Sequence, residues 1–445
     1  MDSDTVSLSW DIVQYLVDTV LPTYLAPIPL TRALLSLCRV SRAMHHIAQP
    51  VLFHTPFISF DPPDTTPPGR TFERVEHLVH TLEHDRSGLA TRVRNLGSLG
   101  QWSTRILSEG IPKNRIDVST LLIRLVALCP NCETIAIPFV TISHQERFSR
   151  TIITNGSRLR EIRFGEGYES QDPWVINFDP SVREQWGSAK FTIRDFQLWS
   201  NPLARVTHLK LMARLRVEDP LEEDDELVDS DEEPEVLGFK LEHFQLDLLR
   251  NSKLSFNYVY RLLYTSRTTL KSLVLKEHQL TSAPETLDRI LETFGSTLTV
   301  LRTSSANQTT DNRHLLVTIS TNCPNLETLS IGSRTSLALF EVLDLFANHL
   351  IHLRELGLEN FYSLELYRRD HPNGRDDLVR VLLHGFQKLK RIVLTPQHAN
   401  VTDARVQDET IGQPLRELDQ TRDDSIAKTI STEINYWRWL VEISP

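Results

Sequence analysis

The chain has 445 residues, 40% of them hydrophobic and 24% charged, with a formal net charge of −10. This is the make-up of a folded globular protein, not of a disordered or fibrous one, and an acidic balance without a basic stripe of interleaved aromatics argues against nucleic acid as a partner. Four cysteines in so long a chain make no disulfide framework and suit a reducing compartment.

The first predicted element is a helix from Leu8 to about Leu21. Its apolar residues Leu8, Ile12, Tyr15, Leu16 and Val20 recur at helical spacing, Ser7 or Ser9 is available as cap, and Pro22, Pro27 and Pro29 are expected to break it. A second helical run from Leu30 to Leu52 carries Leu34, Leu37, Val40, Met44 and Ile47 on period, with Thr31 as cap and Pro50 as an interruption. Short amphipathic helices of this kind hold together weakly alone and invite a partner. The proline-rich run DPPDTTPPG is then an extended linker or rim loop. After it, FERVEHLVHTLEHD is an amphipathic helix that turns Val75, Leu78, Val79 and Leu82 inward. His77, His80 and His84 share its other side, where a solvated polar face is a plainer account than a ligand set. RVRNLGSLG supplies a first short strand.

From there one phrase recurs: a helix-like apolar run, a turn, and a strand written L-x-x-L-x-L. Leu326, Leu329 and Ile331 spell it once, Leu353, Leu356 and Leu358 again, 27 residues on. The central positions are Ile135, Ile162, Leu209, Phe244, Leu273, Leu301, Leu329, Leu356 and Ile392, and the steps from Phe244 to Leu356 are 29, 28, 28 and 27 residues. That pattern and period are those of leucine-rich repeats of the longer type. A short strand plus one helix cannot bury its apolar side alone, so the units must stack into a curved solenoid with parallel strands on its concave face. Side chains alternate along a strand. The same register therefore sends Glu161, Arg163, His208, Lys210, His243, Gln245, Lys276, Arg302, Thr328, Ser330, Glu355, Glu359 and Arg391 to the open face, a polar strip of the kind that binds proteins.

Longer steps mark insertions. The 47 residues from Ile162 to Leu209 hold Trp174, Phe178, Trp186, Phe191, Phe196 and Trp199, either a hidden repeat or an aromatic excursion whose commonest use is core packing. The acidic loop 217–236 contains twelve acids and no Lys or Arg, is expected to be disordered, and presents Ser230 in a setting that acidophilic kinases favour. Cys129 and Cys132 form a C-x-x-C, but CPNCETIAIP aligns with CPNLETLSIG, which gives both thiols core positions. No second C-x-x-C completes a zinc site. The tail predicts one more helix, with Ile426, Ile430, Ile434, Trp437 and Leu440 or Val441 on one side, to cover the last repeat.

The N-terminal phrases carry a resemblance. Leu8, Asp11 and Ile12, then Val40, Ser41 and Arg42, then Pro50, Val51, Leu52 and Phe53 are similar to the three phrases of an F-box, especially the F-box-like domains that precede degenerate leucine-rich repeats in many fungal proteins. Ser9 stands where those sequences have proline. The resemblance implies an α/β chain in which a small all-α F-box-like domain over 1–58 is followed by a linker and lead-in helix over 59–88. A solenoid over 89–396 and an extension with a capping helix over 397–445 complete it. It further implies a substrate receptor of a cullin-RING ubiquitin ligase, docking on a Skp-family adaptor through Leu8, Ile12, Leu16, Leu34, Leu37, Val40 and Met44 and presenting a protein target to the ligase.

No G-x-S-x-G, Walker loop, H-E-x-x-H or dinucleotide glycine fingerprint is present, so no enzyme activity, cofactor or metal is expected. No stretch approaches the roughly 18 apolar residues of a membrane span, and no basic segment precedes an apolar run at the start. The expected place is the cytoplasm or nucleus, away from membranes. The alternative function is a leucine-rich-repeat interaction scaffold with no ubiquitin ligase.

Overall fold

The computed structural model describes residues 9–24, 27–56, 70–99, 102, 106, 117–137, 142–164, 203, 205–213, 239–248, 256–276, 284–304, 313–332, 339–361, 374–396, 422–423, 428–434 and 439–444. Leu8, the acidic loop and the aromatic-rich insertion lie outside them. The chain divides into two compact units: Met1–Phe191 with Asp195–Val206, and Thr192–Arg194 with Thr207–Pro445. The repeat period alone does not mark this division.

The first unit begins with helices. α1 (Trp10–Tyr15) is capped by Ser9, whose side chain accepts the Ile12 N–H. It runs on through a π-helical turn (Leu16–Val20) into α2 (Leu21–Tyr24). The expected breaks at the prolines are corrected here, because Pro22 sits in the first turn of α2, while Pro27 and Pro29 open α3 (Pro27–Val40). Proline is tolerated in a first turn, where its missing N–H has no partner to lose, which accounts for Pro27 and Pro29; Pro22 instead follows the π-helical turn within a continuous run. The α3 start also removes Thr31 from the capping position. Ser41 caps α4 (Arg42–His54), which runs through Pro50 without ending. Val17, Leu34, Ala48 and Val51 are the module's core, with Leu21, Leu30, Leu37, Cys38, Ile47 and Leu52 packed on it.

The end of α4 is tied down by Arg94, whose backbone N–H donates to the His54 carbonyl at 3.0 Å. Burial first, and then the charge of Arg94, hold the His54 imidazole below its ordinary value near 6.5. Arg92 adds to this, while Asp18 and Glu133 oppose it. The unfolded chain therefore takes up this proton before the folded one does. The stability contributed is full above about pH 6.5 and is lost as pH falls toward the folded-state value. Thermal melts from pH 7.5 to 5 are expected to show a Tm decline that is shallower in His54→Gln; identical slopes would remove His54 from the account.

α5 (Arg70–His84) buries Phe72, Val75, Val79 and Leu82. It packs on α6 (Val118–Leu128), which packs in turn on α7 (Ile142–Asn155). Beside them β1 (Asn95–Leu96), β2 (Thr134–Ile137) and β3 (Glu161–Phe164) form a parallel ladder in which Leu96 pairs with Ile135 and Ile135 with Ile162.

The second unit repeats one strand–helix phrase. Its strands are β4 (His208–Ala213), β5 (His243–Leu248), β6 (Ser272–Lys276), β7 (Val300–Ser304), β8 (Thr328–Gly332), β9 (Glu355–Phe361) and β10 (Arg391–Pro396). α8 (Phe256–Leu263), α9 (Pro284–Phe294), α10 (Arg313–Asn322), α11 (Leu339–Ala347) and α12 (Gly374–Arg380) connect them from β5 onward. All adjacent pairs from β4 to β10 are parallel, and Leu209, Phe244, Leu273, Leu301, Leu329, Leu356 and Ile392 face one another in a single register line. All seven are at most 2% exposed. This is the ladder the period predicts.

A hydrogen-bond device repeats with it. In successive repeats, one carbonyl just ahead of the strand accepts two consecutive N–H groups from the next repeat: Lys271 from Thr299 and Val300, Thr299 from Glu327 and Thr328, Glu327 from Arg354 and Glu355, at 2.8–3.1 Å. Each lone pair of that oxygen is thus used, so the turns before the strands stack as tightly as the strands themselves.

The tail corrects an expectation. Instead of a capping helix, β11 (Arg422–Asp423), β12 (Lys428–Ile434) and β13 (Trp439–Ser444) are antiparallel strands, and β13 pairs with β10. Val441 and Ile443 are buried, Val441 opposite Ile392. The end of the core is still covered, and the N–H and C=O groups of β10 that a helix would leave open are paired as well.

Candidate functional site

The candidate functional side chains lie on the exposed side of the helical module and on the open sides of the strand ladders. On the helical module, Trp10, Ile12, Tyr15, Leu16, Leu35 and Val40 are exposed, between 38% for Leu16 and 70% for Val40. Only two other large hydrophobics are so exposed among the described residues, Val317 and Ile351. Ile12, Tyr15 and Leu16 fall at i, i+3 and i+4, hence on one side of the helix, while Val17 turns from that side into the core. The module thus has a closed core of its own and an apolar face left over, where monomeric soluble proteins normally keep charge.

Of the residues expected to face an adaptor, Ile12, Leu16 and Val40 reach the surface. Leu34 does not, because at 2% exposure it is a core residue. Leu37 also packs on that core, and Met44 is half-buried. Helical period alone marks apolar positions without saying which of two apolar sides is inward. Trp10, Tyr15 and Leu35 escape a periodicity-based assignment to the surface for the same reason.

On the open side of the sheet in the second unit, His208 stacks on His243 with ring centroids 4.1 Å apart, and the Thr207 hydroxyl lies 2.8 Å from His208 Nδ1. Gln245 is half-buried, and Arg302 and Glu355 are exposed. Arg391 contacts Glu442 of β13 at 3.4 Å, so the tail hairpin takes up part of its charge. Lys210, Lys276 and Glu359 are on strands as expected, with side chains outside the described set. Ser330 corrects its assignment to the contact surface: it is 8% exposed, and a Cβ added to Gly357 beside it would lie 2.9 Å from its hydroxyl. In the first unit, Arg163 is half-buried and its Nε donates to Glu161 at 2.7 Å. Glu242, near the two imidazoles, is held below the usual carboxylate range, first by its hydrogen bond from Lys271 at 2.9 Å. The arrangement offers neutral and singly charged groups on a regular backbone.

Both thiols of the C-x-x-C are buried. Burial pushes the Cys129 and Cys132 thiols up, Cys132 to about 12, and the Cys132 thiol donates to the Thr134 carbonyl at 3.0 Å. Cys323, at the equivalent place in its repeat, is likewise pushed up to about 12 by burial. A thiol that stays protonated is a packing group. Among the described residues no group of three or more His, Cys, Asp or Glu is placed to hold a metal ion, and no helix is long and apolar enough to cross a membrane.

The fold and these surfaces define a class: a parallel stack of strand–helix repeats with a helical module ahead of it. No family model matches the chain, and no curated protein matches it. Among solved structures it is similar to the leucine-rich repeat-containing protein LegL7 from Legionella pneumophila, at 13% identity and a TM-score of 0.33, over 66% of this chain and 77% of that one.

Proposed function

We propose that this chain is an interaction protein of the F-box type, in which the helical module docks on a Skp-family adaptor of a cullin-RING ubiquitin ligase and the open sheet face of the repeats grips a protein target. The observation that carries the reading is the exposure of Ile12, Tyr15 and Leu16 on one side of the first helix, and of Val40 on α3, in a module whose core is already closed. Such a face gains about 25 cal/mol per Å² when an apolar partner covers it, and aromatic anchors of the Trp10 and Tyr15 kind are favoured at the centre of interfaces.

The test is a titration of the full chain with a purified Skp-family adaptor. A one-to-one complex is expected, and Ile12→Glu with Val40→Glu is expected to weaken it by about a hundredfold or more. That figure corresponds to about 2.7 kcal/mol, the loss of one strong or two moderate hot spots. Both side chains are exposed, so the melting curve of the variant should match that of the parent. Absence of a complex with the parent chain favours the second reading, a repeat scaffold outside the ubiquitin system. That reading is supported by the loss of Leu34 and Leu37 to the core and by Ser9 at the position of the family's proline.

A further inference from the structure

α5 carries chemistry that neither surface uses. Residues 80 to 84 read His-Thr-Leu-Glu-His, which places two imidazoles one helical turn apart on the exposed side of the helix. Their rings are stacked with centroids 4.1 Å apart and planes 20° apart, so the two side chains already share one rotameric direction. The Nδ1 atom of His84 lies 2.9 Å from the His80 carbonyl oxygen. A carbonyl only accepts, so Nδ1 carries the proton, and neutral His84 keeps its lone pair on Nε2, away from the backbone. That is how ligating histidines are oriented: one ring nitrogen is tied to a backbone acceptor and the other is free to bind.

We propose that His80 and His84 chelate one divalent cation of borderline softness, of the Zn²⁺, Ni²⁺ or Cu²⁺ class, with solvent in the remaining coordination positions. Imidazole pairs suit these ions, whereas Mg²⁺ and Ca²⁺ require oxygen donors. Chelation requires the two rings to turn out of their stack, so that the in-plane lone pairs converge on one ion at the roughly 2.0–2.1 Å that metal–imidazole bonds need.

The spacing is also that of hydrolytic sites written H-x-x-E-H, in which the glutamate acts at the metal centre. Here that use is closed. The Glu83 carboxylate accepts from Arg124 Nη2 at 2.6 and 2.8 Å and from Nε at 3.1 Å, which commits it to pinning α5 on α6. With two imidazole donors and Glu83 committed to Arg124, the site binds a cation and does not use that glutamate to activate water for hydrolysis.

The experiment is calorimetric titration of the full chain, purified without a histidine tag, with NiCl₂ and separately with ZnCl₂. The chain has 16 histidines, so the reading is the difference between variants and not the total heat. One site is expected in the parent, weakened at least tenfold in His80→Ala and in His84→Ala, and unchanged in His77→Ala. All three side chains are exposed, so melts recorded without metal should coincide and separate a lost ligand from a lost fold. Parent binding no stronger than that of the double variant His80→Ala with His84→Ala overturns the proposal. So does an equal loss in His77→Ala, which would mean a three-donor site.

Discussion

Leu329→Ala is expected to cost roughly 2–5 kcal/mol of stability, among the largest effects of any single truncation in the second unit. Leu329 is 0% exposed and lies in the register line between Leu301 and Leu356, both also 0% exposed. Removing three carbons there opens a cavity whose walls belong to three consecutive repeats. Those walls close poorly, because each strand is held on both sides by parallel ladder bonds and by the doubly accepting carbonyls of Thr299 and Glu327. The loss should appear in urea unfolding as a lower midpoint, and in thermal melts as a fall of about 2–4 °C per kcal/mol for a unit of this size. Val317→Ala, at an exposed position on α10, should change stability by less than about 0.5 kcal/mol and serves as the comparison. A Leu329→Ala protein as stable as Val317→Ala would mean that the aliphatic line is not what holds neighbouring repeats together.

The repeats were legible because their signal is long-range and redundant. Each central apolar residue predicted from spacing does sit in a strand, and the strand pairs within each unit follow the same register. The tail was not legible by the same method. Ile430 and Ile434 are four apart, and four is near the helical period of 3.6 while also being twice the strand period, so their spacing favours neither structure. The discriminating signal was composition: Thr429, Ile430, Thr432 and Ile434 are β-branched, crowded in a helix and well accommodated on a pleated surface. At the N-terminus the helices were visible, but not the choice between core and surface. Leu34 and Leu35 are adjacent and chemically identical, yet one is 2% exposed and the other 43%. What separates them is the direction in which α4 packs, a tertiary fact.

Gly295→Ala is expected to destabilise the second unit by about 1–3 kcal/mol, the usual cost of forcing an extra carbon into a packed interior, and Gly295→Val by more. The reason is space and not backbone angle. A Cβ built on Gly295 would stand 2.6 Å from the backbone carbonyl oxygen of Asn322 and 2.8 Å from the Cys323 thiol. The first of these atoms ends α10 in the neighbouring repeat and cannot swing aside as a side-chain tip can, so relief requires the two repeats to part. Parting them stretches the bonds by which the Thr299 carbonyl accepts the Glu327 and Thr328 N–H groups, at 2.8 and 3.0 Å. Gly97 provides the internal contrast. Its added Cβ would meet Asn95 Oδ1 at 2.8 Å and Arg163 Nη1 at 3.3 Å, both side-chain atoms that can move, so Gly97→Ala should cost much less. If the two substitutions lowered the urea midpoint equally, close approach of backbone would not be what selects glycine at position 295. Amide hydrogen exchange adds a spatial check: in Gly295→Ala the N–H groups of Glu327 and Thr328 should lose protection first, while those of β10, two strands beyond β8, should keep theirs.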